Sequence, residues 1–142
     1  MISFVCGQLC SGKSLYSKAL AGTTCSLFVE VGDIVRDLKN TTDRRILQNS
    51  KELSEEIIKV IQKKHDAHQQ VGDLIVCGVR QKEILENFPQ STLLWIECPI
   101  NIRKERYQKR ARSGDTQTFE EAEQGDINLG ILEVKQYILD NK

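Results

Sequence analysis

Gly7-Gln8-Leu9-Cys10-Ser11-Gly12-Lys13-Ser14 follows a short apolar run, Ile2-Ser3-Phe4-Val5-Cys6, and leads into a helix-forming stretch from Ser14 to Ala21. The eight residues spell G-x-x-x-x-G-K-[ST], a pattern physically suited to holding phosphate. Gly7 and Gly12 allow backbone angles that a side chain obstructs, so successive N–H groups can curl around an anion. Lys13 sets a cation against the outer phosphate oxygens, and Ser14 offers a hydroxyl to Mg²⁺. The helix that starts here points its positive end at the same place. Cys10, Ser11 and Leu15 complete the candidate phosphate-binding set. Leu15, Ala19 and Leu20 form the expected apolar side of the helix.

The whole chain has 142 residues, with 20 Lys plus Arg balanced by 20 Asp plus Glu. That length suits one domain, 1–142. The balanced charge exerts no general pull on nucleic acid or anionic membrane, so neither is expected as a partner. No apolar stretch approaches the ~18 residues of a membrane span, and no charged leader opens the chain; a cytoplasmic location is expected. The five cysteines show no C-x-x-C spacing. Cys6, Cys25, Cys77 and Cys98 sit in or beside apolar runs, whereas Cys10 lies near a helix N-terminus, where thiolates are stabilised. A passive small residue is the plainer reading of Cys10.

Beyond the first helix, Cys25 to Val31 reads as a second strand, and Gly32-Asp33 leads into a helix begun by Ile34-Val35-Arg36-Asp37-Leu38. Lys51 to His68 is amphipathic, with Leu53, Ile57, Val60 and Ile61 at helical spacing. His65 and His68 end it, with no acid or thiol at a spacing that would complete a metal site. Asp73 to Cys77 is a third strand leading to Gly78-Val79-Arg80, followed by a helix from Gln81 to Asn87. Ser91 to Glu97 is apolar on both faces, as a central parallel strand would be. A basic helix, 102–112, carries Arg103, Lys104, Arg106, Lys109, Arg110 and Arg112. Thr118 is placed to cap an acidic helix, and Tyr137 to Asp140 reads as a fifth strand. This alternation predicts a three-layer α/β/α fold around a five-stranded parallel sheet, with a short helical lid at about 106–118. In such sheets ligands gather beyond the carboxyl ends of the strands, where Gly7, Asp33, Gly78 and Glu97 are expected to converge.

A protein that moves a phosphoryl group onto a phosphorylated acceptor must hold two anions side by side. Lys13 serves the donor. Arg36 and Arg80, each shortly after a strand end, suit the acceptor phosphate through forked pairing. Arg106, Arg110 and Arg112 are candidates to close over the transferring group, with Gly114 as a hinge; a solvated basic helix face is the alternative. Asp33 is the natural carboxylate for the acceptor side or for holding a metal-bound water, and a catalytic candidate on that ground, an N-cap being its plainer role.

The order P-loop, Gly32-Asp33-x-x-Arg36, Gly78-Val79-Arg80 and Arg106-x-x-x-Arg110 resembles the nucleoside monophosphate kinase superfamily. The half from Cys77 through Phe88-Pro89 to Arg112-Ser113-Gly114-Asp115-Thr116-Gln117-Thr118-Phe119-Glu120-Glu121 is similar to a compact branch of nucleotide kinases near dephospho-CoA kinase. The resemblance implies a P-loop fold, ATP and Mg²⁺, and γ-phosphoryl transfer to a nucleoside or deoxynucleoside monophosphate. Gly12, Lys13 and Ser14 would bind the triphosphate and metal. Asp33, Arg36, Gly78 and Arg80 would face the acceptor, with Arg106, Arg110 and Arg112 as lid or transition-state arginines. A homodimer is compatible with this reading.

Three departures stand out. Family members end the third strand with Asp, whose carboxylate orients the metal's hydration shell; this chain has Cys77, and a thiol is a poor substitute toward a hard cation. The related branch carries Arg-Asp where this sequence has Gly125-Asp126. The sequence stops at Asn141-Lys142, where relatives continue beside the adenine. These departures frame two alternatives: a nucleotide-binding protein with weakened catalysis, and a kinase for a larger acceptor such as dephospho-CoA.

Overall fold

The computed structural model describes residues 1–40, 50–68, 72–110 and 117–141. In chain order the elements are β1 (Ile2–Gly7), α1 (Lys13–Thr24), β2 (Leu27–Glu30) and α2 (Val31–Lys39), then a 3₁₀ turn (Ser50–Leu53) leading into α3 (Ser54–His68). There follow β3 (Leu74–Cys77), α4 (Lys82–Glu86), β4 (Thr92–Ile96), α5 (Ile100–Lys109), α6 (Phe119–Leu129) and α7 (Ile131–Asp140). The strands pair in parallel in the order β2-β3-β1-β4. Each crossover therefore passes through helix, and the sheet lies between helical layers, as the alternating pattern predicted.

The sequence reading is corrected at three points. First, the sheet has four strands among the described residues, not five. Tyr137 to Asp140 lies inside α7, whose buried Ile131, Val134 and Ile138 recur at helical spacing. A short apolar run looks alike in a strand and a buried helix, and only the longer period separates them. Second, β4 stands at the sheet edge rather than its centre, paired with β1 alone. Leu93, Leu94, Trp95 and Ile96 are accordingly only half-buried, whereas every residue of β3 is buried. Third, α1 does not bury Leu15 and Ala19. Its buried residues are Ser17 and Ala21, with Leu20 at the margin, and Leu15 is 77% exposed.

The main core lies on the face covered by α3, α4 and α7, where Phe4, Cys6, Leu74 and Val76 meet Ile57, Ile61, Ile84, Leu85, Val134 and Ile138. Burial pushes the Cys6 thiol up to about 12, so it behaves as a small apolar side chain. On the opposite face α1 lies over Val5 and Ile75. A smaller cluster of Leu9, Tyr107, Phe119 and Ala122 joins the loop after β1 to α5 and α6.

Thr118 does cap α6: its hydroxyl accepts from Glu121 N at 3.2 Å while Glu121 Oε1 accepts from Thr118 N at 3.0 Å. This reciprocal box satisfies two donors at the helix start. Thr118→Ala should lower stability by about 1 kcal/mol, measured by urea unfolding; a change below ~0.3 kcal/mol would show the cap to be dispensable.

Candidate functional site

Beyond the carboxyl ends of β1, β2 and β3 the chain encloses a cavity of about 280 Å³. Leu9, Cys10, Gly12, Lys13, Ser14 and Leu15 line it from the loop side, faced by Glu30, Gly32, Gly78, Arg80, Arg106 and Arg110. The loop's shape comes from its backbone. Gly12 has φ 93°, and Cys10 adopts φ 60°, a left-handed conformation uncommon for a residue with a side chain. Gly7 does not line the cavity. A Cβ there would collide with Ser11 Oγ and come within 2.9 Å of Ile96 O, so glycine is required for the loop to fold back on β4. Ser11 is buried beneath the loop, its amide donating to Gln8 O at 3.1 Å. The N-terminus of α1 opens into the cavity, and the arrangement is a fit cradle for a phosphate chain.

Lys13 Nζ reaches Gln8 O at 3.4 Å, a long contact that leaves the ammonium directed by the loop rather than neutralised by a carboxylate. Burial holds its pKa below the usual lysine value, and the Arg80 guanidinium depresses it further; Asp126 opposes both. Arg80 Nε lies 2.9 Å from Asp126 Oδ1, whose side chain is 4% exposed. Asp126 is thus a buried counter-charge, contributed by α6, beneath two cations of the cavity. Sequence reading noted Gly125-Asp126 only for the arginine it lacks.

The other predicted residues divide clearly. Arg106 lines the cavity and donates from Nη1 to Cys10 O at 3.2 Å, close to Cys98 Sγ at 3.5 Å. Arg110 lines it too, with its guanidinium 5.0 Å from the Tyr107 ring centroid. Asp33 and Arg36 do not line it. They pair with each other at 2.8 Å along α2, with Asp33 exposed and Arg36 lying against Gly32. Glu97 turns away to Trp95 Nε1 and Lys135, which hold its carboxyl below the usual range. Arg112, Gly114 and the rest of 111–116, the middle of the proposed lid, lie outside the described residues.

Glu30 is the cavity residue that sequence reading missed. It ends β2 one step before α2 begins, and is the one carboxylate among the lining residues. The strand-end rule points to this position as well as to Asp33, three residues on. For a divalent cation the protein offers the Ser14 hydroxyl and this carboxylate, both oxygen donors acceptable to Mg²⁺. Cys77 Sγ stands 3.7 Å from Ser14 Oγ but is buried and soft, and serves as neighbour rather than ligand. No group of three or more His, Cys, Asp or Glu forms a metal cluster among the described residues. No helix among them is long and apolar enough to cross a membrane.

A parallel sheet with this loop after β1 and an arginine-lined cavity above it defines a protein of the P-loop fold. The chain belongs to the AAA domain family, which matches residues 4–128. It is 29% identical to a UPF0200/UPF0201 protein of Archaeoglobus fulgidus over 89% of this chain and 43% of that one, so it spans less than half the length of that relative. A sugar kinase from Janibacter sp. HTCC2649 superposes with a TM-score of 0.64 at 18% identity, over 88% of this chain and 76% of that one. Shikimate kinase from Aquifex aeolicus vf5 gives 0.56 at 18% identity, over 99% and 95% of the two chains. At these identities the likeness is one of fold.

Lys13 must carry its proton to pair with phosphate. Nucleotide affinity should therefore be full below its folded pKa and decline as pH rises through it, earlier than an ordinary lysine allows. Removing the opposing carboxylate with Asp126→Asn should move that decline lower still. Calorimetric ATP titrations from about pH 7 to about pH 10 check this; coincident profiles for variant and parent would contradict the assigned role of Asp126.

Proposed function

We propose that the protein is an ATP-dependent phosphotransferase whose acceptor is itself phosphorylated, a nucleoside or deoxynucleoside monophosphate. One observation carries the reading: Lys13, Arg80, Arg106 and Arg110 surround the same small cavity, with Glu30 the sole carboxylate among its lining residues. A triphosphate on the loop accounts for Lys13 and the α1 N-terminus. Further forked cations suit a second anion brought close to the first. The fold neighbours include proteins named as sugar and shikimate kinases. The surplus of positive charge favours a phosphorylated acceptor over a neutral one.

In this reading the loop amides and Lys13 bind the β and γ phosphates of ATP, which supplies the phosphoryl group. Ser14 and Glu30 would hold Mg²⁺, which would supply charge neutralisation for the phosphates. Arg80, held by Asp126, takes the acceptor phosphate; Arg106 and Arg110 line the space between the two, where charge grows during transfer. Asp33 and Arg36, paired on α2 beside Gly32, are assigned to the acceptor's rim. A homodimer and a cytoplasmic location are compatible with this reading. A second reading, a nucleotide-binding protein without transfer, is favoured by Cys77 at the strand end where the nucleoside monophosphate kinases that the sequence resembles carry a carboxylate.

A coupled assay with ATP and Mg²⁺ against ribo- and deoxynucleoside monophosphates, dephospho-CoA, shikimate and simple sugars separates these readings. Turnover is expected on a monophosphate and should vanish in Lys13→Ala. Arg80→Ala should raise the acceptor KM by about 10- to 100-fold, the loss of a hydrogen bond to a charged group, with the ATP KM little changed. Turnover on shikimate or a sugar alone overturns the acceptor class. ATP binding with silence across the panel supports the second reading.

A further inference from the structure

Among the basic residues of α5, Arg103 alone is buried: 4% of it is exposed, whereas Lys104, Arg106 and Lys109 are exposed. Its guanidinium makes a fork of contacts. Nε donates to Cys98 O at 3.1 Å, and Nη1 to Leu9 O at 3.2 Å. Nη1 and Nη2 also pair with the two carboxylate oxygens of Glu123 on α6, at 2.6 and 3.2 Å. The Phe119 ring lies 5.6 Å from the same guanidinium. Neither Arg103 nor Glu123 lines the cavity. The contact to Leu9 O nevertheless reaches into the P-loop, one residue before Cys10 with its positive φ.

A loop that gathers its N–H groups around an anion must turn its carbonyls outward, where each buried one needs a donor. Leu9 O receives Arg103 and Cys10 O receives Arg106, so guanidinium groups hold the backbone on both sides of the strained residue. Conformations of this kind persist only when their surroundings over-determine them. We propose that Arg103 and Glu123 are a positioning pair for the P-loop. Arg103 fixes the Leu9 carbonyl, Glu123 fixes Arg103, and the pair sets nucleotide affinity from outside the cavity. The inference rests on the phosphotransfer reading only in naming the ligand as a nucleoside triphosphate. The alternative is a merely structural pair joining α5 to α6.

The test is the double variant Arg103→Met with Glu123→Leu. It removes both charges together, because apolar replacement of a buried pair is usually tolerated whereas removing one partner is not. Two readouts are used: exchange of the Ser11 amide, which is bonded to Gln8 O within the loop, in nucleotide-free protein, and ATP affinity by calorimetry. The proposal expects Ser11 exchange at least ~10-fold faster and ATP bound at least ~10-fold more weakly, with melting little changed. Cys10→Gly in that background removes the strain at position 10 and should recover part of both losses. Unchanged Ser11 exchange, or losses that Cys10→Gly does not relieve, overturns the proposal. If the double variant fails to fold, Arg103→Lys keeps the charge opposite Glu123 but not the fork, and its Ser11 exchange must rise likewise. A parent protein that binds no ATP counts against the phosphotransfer reading, and the exchange measurement then decides this one alone.

Discussion

The turn through residues 7–14, with Cys10 at φ 60° and Gly12 at φ 93°, is the constraint that the rest of the structure is arranged to permit. The carbonyls of such a turn need donors. Gly7 closes on Ser11 and Ile96 O, where no side chain fits. Arg103 and Arg106 reach from α5 to Leu9 O and Cys10 O, and α5 is held by α6 through Glu123 and the Phe119–Tyr107 ring contact. The loop is therefore built jointly by β1 and by helices almost a hundred residues later. A small phosphate cradle thus commits a large part of the fold.

A second consequence is electrostatic. A cavity lined by Lys13, Arg80, Arg106 and Arg110 gathers like charges; the pKa of Lys13 is lowered first by burial and then by the Arg80 guanidinium. Asp126 offsets the repulsion without entering the lining, and Glu30 is the one carboxylate among the lining residues. The balance leaves the cavity cationic but able to fold, and a polyanion would complete the compensation on binding. The same helix, α6, carries Glu123 and Asp126 one turn apart, beneath the loop and beneath Arg80.

Much of this was legible in the sequence. The P-loop depends on residue types at fixed spacing, so it can be read without a fold, and the alternation of strands and helices gave the layering. The carboxyl-end rule correctly brought Gly78 and Arg80 to the cavity, and helical spacing from Arg106 brought Arg110. The misreadings have a common cause. Whether Tyr137 to Asp140 is strand or helix, and whether β4 is central or edge, depends on neighbours that local period cannot reveal. Asp33 follows Gly32 at the expected strand end, yet α2 already begins at Val31 and turns Asp33 toward Arg36, leaving Glu30 at the cavity. Arg103 could not be told from its basic neighbours, since burial beneath Phe119 and Glu123 arises only when α5 and α6 pack. Asp126 was hidden for the same reason.

The central claim is that two anionic subsites share one cavity. Its most direct test is calorimetric titration with two nucleosides joined through five phosphates, compared with ATP and with a monophosphate alone. The account predicts a single site at which the joined compound displaces ATP and binds at least ~100-fold more tightly, because linking turns the second binding event into an intramolecular one. Affinity no better than that of ATP would contradict the claim and reduce the site to a simple nucleotide cradle.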